Sequence, residues 1–232
     1  MRMTLMTLLA LALMTGSARA ATLAAWDVWA DSSTPYVADS LETGFSATIT
    51  TTEDRYNSGF GSTDGDFGAA LSGASTGLGG ILVRENGSNL VVPLVITNNT
   101  GSSYSIDSLH FDFGVRVSSP NSFTLTYTSG GLGVAGTQID SQSGLADLVG
   151  VSQGEDQGDY YDFDYNLASY LTDTTLDDGE SATFTWVFSG HTSASGSSIV
   201  DNFAVQGAVV PEPASLALLA MGIGMVALRR RR

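Results

Sequence analysis

The chain has no cysteine and no lysine, only two histidines and five prolines, and few positive charges away from its ends. Without cysteine there are no disulfides, no thiolate nucleophile and no cysteine-ligated zinc. The fold must then be held by its core alone, and a body of about 190 residues buries enough surface for that. Six of the nine basic residues lie in the terminal segments: Arg2, Arg19 and Arg229 to Arg232. Between Ala21 and Val210 only Arg55, Arg84 and Arg116 stand against 23 acids, a net charge of −20. So acidic a body repels phosphate backbones, which excludes nucleic acid as a partner. The same charge favours solubility and loose attraction of divalent cations.

The ends of the chain are signals. "MRMTLMTLLALALMTGSARA" has a positive start at Arg2, an apolar stretch from Leu5 to Met14, and small residues at Ala18 and Ala20 flanking Arg19. That order reads as a secretory signal helix over residues 1–20, cleaved near Ala20, and predicts a periplasmic or extracellular life. At the other end, residues 214–228 form an uncharged apolar run. As a helix it spans roughly 22 Å, short of the roughly 30 Å hydrocarbon core. Snorkelling arginine stems supply part of the difference. Arg229, Arg230, Arg231 and Arg232 then act as a stop-transfer block on the cytoplasmic side of the inner membrane. Pro211, Glu212 and Pro213 hold the chain extended just before the helix.

This tail, "VPEPAS" followed by an apolar run and terminal arginines, resembles the PEP-CTERM sorting domain of Gram-negative bacteria over residues 209–232. The resemblance implies that Pro211, Glu212 and Pro213 are recognised by an exosortase, a membrane-embedded protease that processes the tail. It also implies an exported protein of an organism that makes extracellular polysaccharide. It transfers no activity, because function resides in sites and not in sorting tags.

Between the signals, residues 21–208 read as one domain. Short alternating runs separated by Gly, Ser, Asn, Thr and Asp replace any helical period. "SLHFDFGVRV" places Leu109, Phe111, Phe113, Val115 and Val117 on one face and His110, Asp112 and Arg116 on the other. "SATFTWVFS" places Phe184, Trp186 and Phe188 together, which predicts a central strand with its aromatic face inward. "GILVRE" and "SNLVVPLVITN" flank Asn86-Gly87, a favoured hairpin turn. Pro93 inside the second run suggests an edge strand or a bulge. Strands so spaced predict an all-β fold, an antiparallel sandwich of jelly-roll type. "IVDNFAVQG" resembles the closing strand of many exported jelly-roll domains.

Candidate chemistry is sparse. "GASTG" (Gly73 to Gly77) matches a nucleophile-elbow pattern but lacks the strand–turn–helix context. His110 shares a face with Asp112, so a Ser-His-Asp site is conceivable there, whereas His191 lies in a Ser/Gly-rich turn. The stretch "GEDQGDYYDFDYN" brings Glu155, Asp156, Asp159, Asp162 and Asp164 close in sequence. Hard oxygen ligands of this kind suit Ca²⁺, and a solvated acidic face is the plainer alternative. Tyr160, Tyr161 and Tyr165 are the candidates for a sugar-stacking platform. The resulting expectation is a non-catalytic envelope or matrix protein, processed by an exosortase and associated with exopolysaccharide. The alternatives are a carbohydrate-binding module with a calcium-supported glycan site and, third, a glycoside or other hydrolase.

Overall fold

A computed structural model describes residues 20–27, 29, 34–52, 55–56, 80–84, 89–148, 160–191 and 196–211. Their strands are, in chain order, β1 (Ala21–Trp26), β2 (Tyr36–Val37), β3 (Ser40–Leu41), β4 (Phe45–Ile49), β5 (Arg55–Tyr56), β6 (Gly80–Arg84) and β7 (Leu90–Asn98). They continue with β8 (Tyr104–Gly114), β9 (Ser122–Gly130), β10 (Thr137–Gln142), β11 (Tyr161–Asn166), β12 (Thr175–Leu176), β13 (Ser181–Ser189) and β14 (Ser197–Val209). A 3-10 turn, Leu167–Ser169, follows β11. The expected terminal helices lie outside the described residues, and no described helix is long and apolar enough to cross a membrane.

The strands form two antiparallel sheets. The first runs β11-β8-β14-β1-β3, with β12 beside β8, β6 beside β14 and β5 beside β6. The second runs β10-β9-β13-β7-β4-β2. The chain passes repeatedly between them, so each sheet is built from segments distant in sequence. This is the antiparallel sandwich the alternation predicts.

Packing follows the two-residue period. β13 alternates half-buried and buried along its whole length. Its inward Phe184, Trp186 and Phe188 are fully enclosed. They meet the inward face of the first sheet, where Trp186 lies edge-on to Phe203 with centroids 5.0 Å apart. Phe111 touches both, edge-on to Trp186 at 5.6 Å and stacked on Phe203 at 5.7 Å. Such edge and offset geometries add about 0.5–1.5 kcal/mol per pair beyond area burial. Outward positions of the second sheet are largely threonine, including Thr124, Thr126, Thr183 and Thr185, a β-branched residue that tolerates water.

Pro93 is not on an edge, because β7 lies between β13 and β4. In an antiparallel strand a residue's N–H and C=O point to the same neighbour. The Pro93 carbonyl accepts from Thr50 N–H at 3.0 Å, so its missing N–H faces the β4 side, just beyond the last ladder pair Ile49–Leu94. The ladder to β13 continues through Thr185 opposite Pro93.

The first sheet is partly covered on its outer face too. Val200 and Phe113 face the main core, so the neighbouring Ile199 and Gly114 face outward. Ile199, Leu82 and Tyr160 form a second small cluster with Leu148 against it. Gly114 is required there: a Cβ would come within 2.7 Å of the Tyr160 ring.

Candidate functional site

The outer face of the first sheet carries most of the polar chemistry. Strand register sets it out in rows across β14, β8 and β11: Gln206, Ser108 and Asn166; Ala204, His110 and Asp164; Asp201, Asp112 and Asp162. The pairing of β14 with β8 is irregular between Asp201 and Ala204, where β14 carries the extra residue, and between Gln206 and Gly207, where β8 carries it. Asn202 at the first irregularity has φ +50°, a conformation asparagine tolerates better than most residues.

Two members of the third row are interior. Asp112 and Asp201 are buried. Asp112 accepts from Asn202 Nδ2 at 2.7 Å, and Asp201 accepts from the Trp29 indole N–H at 2.7 Å. Asp112 is therefore built into the fold, and it is not the carboxylate that His110 uses.

The partner of His110 comes from the next strand. His110 Nδ1 meets Asp164 Oδ1, and Ser108 Oγ lies 2.9 Å from His110 Nε2. The same hydroxyl lies 3.3 Å from Gln206 Oε1, a longer alternative. The His110 side chain is 11% exposed and that of Asp164 is 54% exposed. An open groove of about 620 Å³ runs along the site, lined by Asp107, Ser108, His110, Asp164, Asn166 and Ala168 among others. The Ser108–His110 spacing was legible, since residues two apart on a strand share a face. Asp164 was not, because its place depends on β11 pairing with β8.

The tyrosines serve packing. Tyr160 and Tyr165 are buried and Tyr161 is half-buried. Tyr165 stacks parallel to Phe163 at 6.4 Å and donates its hydroxyl to Asp140 at 2.8 Å. Tyr161 donates to the Ala146 carbonyl at 3.1 Å. Burial drives the Tyr160 and Tyr165 phenols well above their ordinary pKa, and the Asp140 hydrogen bond adds to the shift at Tyr165. The expected exposed platform is thus corrected: alternation turns Tyr161, Phe163 and Tyr165 inward, and Tyr160 is used to cover Gly114. Tyr170, edge-on to Tyr165, is the exposed neighbour.

Asp162 and Asp164 are exposed on the outer face, as alternation requires. No group of three or more His, Asp or Glu is placed to hold a metal among the described residues. Glu155, Asp156 and Asp159 lie outside the described residues, as do Gly73 to Gly77 and Asn86-Gly87. His191 is half-buried just after β13.

β14 ends at Val209, and Pro211 beyond it is exposed. Residues 209–232 match the PEP-CTERM protein-sorting motif. This chain carries a PEP-CTERM sorting signal. The signal begins where the last strand stops, and it implies an exported protein that an exosortase processes at its C-terminal end. Glu212, Pro213 and the residues to Arg232 lie outside the described residues.

No curated protein matches the chain. Among solved structures, a cleaved adhesin domain of Lys-gingipain from Porphyromonas gingivalis is similar over 81% of this chain and 99% of its own, at 10% identity and a TM-score of 0.35. A tailspike protein domain of bacteriophage CBA120 is similar over 72% of this chain and 20% of its own, at 10% identity and a TM-score of 0.33. An isomalto-dextranase of Arthrobacter globiformis, complexed with panose, is similar over 82% of this chain and 32% of its own, at 10% identity and a TM-score of 0.33.

Proposed function

We propose that this protein is an envelope or matrix component delivered to the cell surface by its sorting tail, where its acidic sandwich associates with exopolysaccharide. The observation that carries the reading is the PEP-CTERM match at residues 209–232, directly after the last strand. The signal segment at residues 1–20 starts export. The apolar run at 214–228 holds the chain in the inner membrane, with Arg229 to Arg232 inside. The exosortase, reading Pro211, Glu212 and Pro213, then processes the tail and frees the body. In this reading the body's role at the surface is adhesive, and the association with exopolysaccharide needs no catalysis.

Intact-mass measurement of protein from the native envelope tests the delivery. The mature species is expected to lack Arg229 to Arg232, and a species retaining them would leave a plain tail anchor. For the association, the protein is expected to remain with washed exopolysaccharide and to be released when the polymer is digested. Free protein before digestion would remove that part of the proposal.

A further inference from the structure

On the outer face of the first sheet the order of the hydrogen bonds has chemical content. Asp164 meets His110 at Nδ1, so the carboxylate keeps the ring proton on that nitrogen. Nε2 is then a base, and the Ser108 hydroxyl lies against it at 2.9 Å. This is the connectivity by which serine hydrolases raise the reactivity of a hydroxyl. We propose that Ser108 is an activated nucleophile toward carboxylic esters, with His110 as its base and Asp164 as a positioning residue.

The arrangement is set by the sheet. Ser108 and His110 are two apart on β8, and Asp164 is the direct cross-strand partner of His110. His110 is nearly enclosed, which restricts its ring, while Ser108 is half-buried beside the open groove, where an ester carbonyl can approach. Ser108 is paired on both sides, to Gln206 and to Asn166, so its backbone belongs to the ladders. Stabilisation of an oxyanion therefore falls to a side chain. Asn166 stands opposite Ser108 and lines the groove. Its Oδ1 accepts the Ala168 N–H at 3.1 Å, which fixes the amide and leaves Nδ2 as a donor. In a serine hydrolase one such side-chain donor is worth about 10²–10³ in rate.

The step balances with water as the second reactant. Oγ bonds to the carbonyl carbon while its proton passes to Nε2 and the carbonyl π pair moves to oxygen. The pair returns, the bond to the alkoxide breaks, and the alkoxide leaves with the proton from Nε2. Water, deprotonated by Nε2, then attacks the acyl-serine, and the carboxylic acid departs as Oγ recovers its proton. This activity goes beyond the adhesive reading, and polysaccharide retention does not depend on it.

The test is labelling of the purified full-length chain with a fluorophosphonate, which forms an Oγ–P bond and expels fluoride. Peptide mass spectrometry then locates the label. The expected site is Ser108, with no label there in Ser108→Ala. His110→Gln should lower the labelling rate about 10²–10⁴-fold, the usual contribution of a general base. Asp164→Asn should lower it with an unchanged melting temperature, and Asp164→Glu should recover part of the loss. p-Nitrophenyl acetate should acylate the native chain but not Ser108→Ala at that position. An unlabelled Ser108 in the folded chain overturns the proposal. So does a labelling rate that His110→Gln leaves unchanged. If His110→Gln fails to fold, the half-exposed Asp164→Asn decides, and an unaltered rate there has the same meaning.

Discussion

Trp186 concentrates the stability of this domain in a single side chain. It is fully buried and meets both Phe111 and Phe203, and no disulfide exists to compensate for its loss. Its indole N–H has no acceptor among the described residues, which costs part of what the ring contributes. Truncating a core aromatic to alanine costs about 3–5 kcal/mol, a large share of the roughly 5–15 kcal/mol typical of a domain. Trp186→Ala is therefore expected to lower the urea midpoint sharply or prevent folding. Thr185, one residue away on the wet face, accepts a hydrogen bond from Thr128 at 2.6 Å. Thr185→Ala should cost less than about 1 kcal/mol, as exposed hydrogen bonds do. Equal losses for the two variants would mean that the strand faces the other way.

Among the elements, β14 does the most. It pairs with β1, β6 and β8, and it positions the Gln206 and Ala204 rows beside the polar site. Its close approach to β8 at Gly207 depends on the missing side chain. A Cβ there would collide with the Ser105 carbonyl oxygen and come within 2.7 Å of Leu23 Cδ1. Backbone cannot yield as a flexible side chain can, so Gly207→Ala should cost about 3 kcal/mol, the upper part of the overpacking range. A melting curve unchanged by Gly207→Ala would show that β14 and β8 separate there without penalty. Residues two apart on one strand share a face, the signal by which Ser108 joins His110, although from the sequence only Asp112 is placed beside it. Pro93 misled because its chemistry reports a missing donor. It does not report which neighbour that donor would face.

For the whole molecule, high pH is the weak side. Tyr160 and Tyr165 hold their phenol protons more tightly when folded, chiefly because burial disfavours the phenolate. In the unfolded chain a tyrosine titrates near about 10. Below that pH both states are protonated and the stabilisation is complete. Above it the unfolded chain loses protons first, so stability falls with rising pH by about 1.4 kcal/mol per unit for each such tyrosine. The fall continues until the folded phenols ionise as well. Denaturant midpoints measured between about pH 9 and 11 should show this slope, and Tyr160→Phe should reduce it. A body already at −20 adds self-repulsion as further charge appears. A flat profile would mean that the two phenols are wetter than their packing indicates.

The sequence alone determined what depends on neighbours along the chain. The tail motif, the absence of disulfides, the acidic body, the strand alternation and the inward aromatic face of β13 all follow from composition and from a two-residue period. Three results needed tertiary structure. Asp164, and not Asp112, reaches His110, because β11 pairs with β8 across 54 residues of chain. Tyr160 and Tyr165 became core and not platform, because Tyr165 packs into the main core between the sheets while Tyr160 joins a small cluster on the outer face. Pro93 sits inside a sheet, because β4 stops one residue short of needing its N–H. Alternation reports which side of a strand a residue occupies. Which strand lies alongside, and what covers that side, is decided by contacts between segments far apart in the chain.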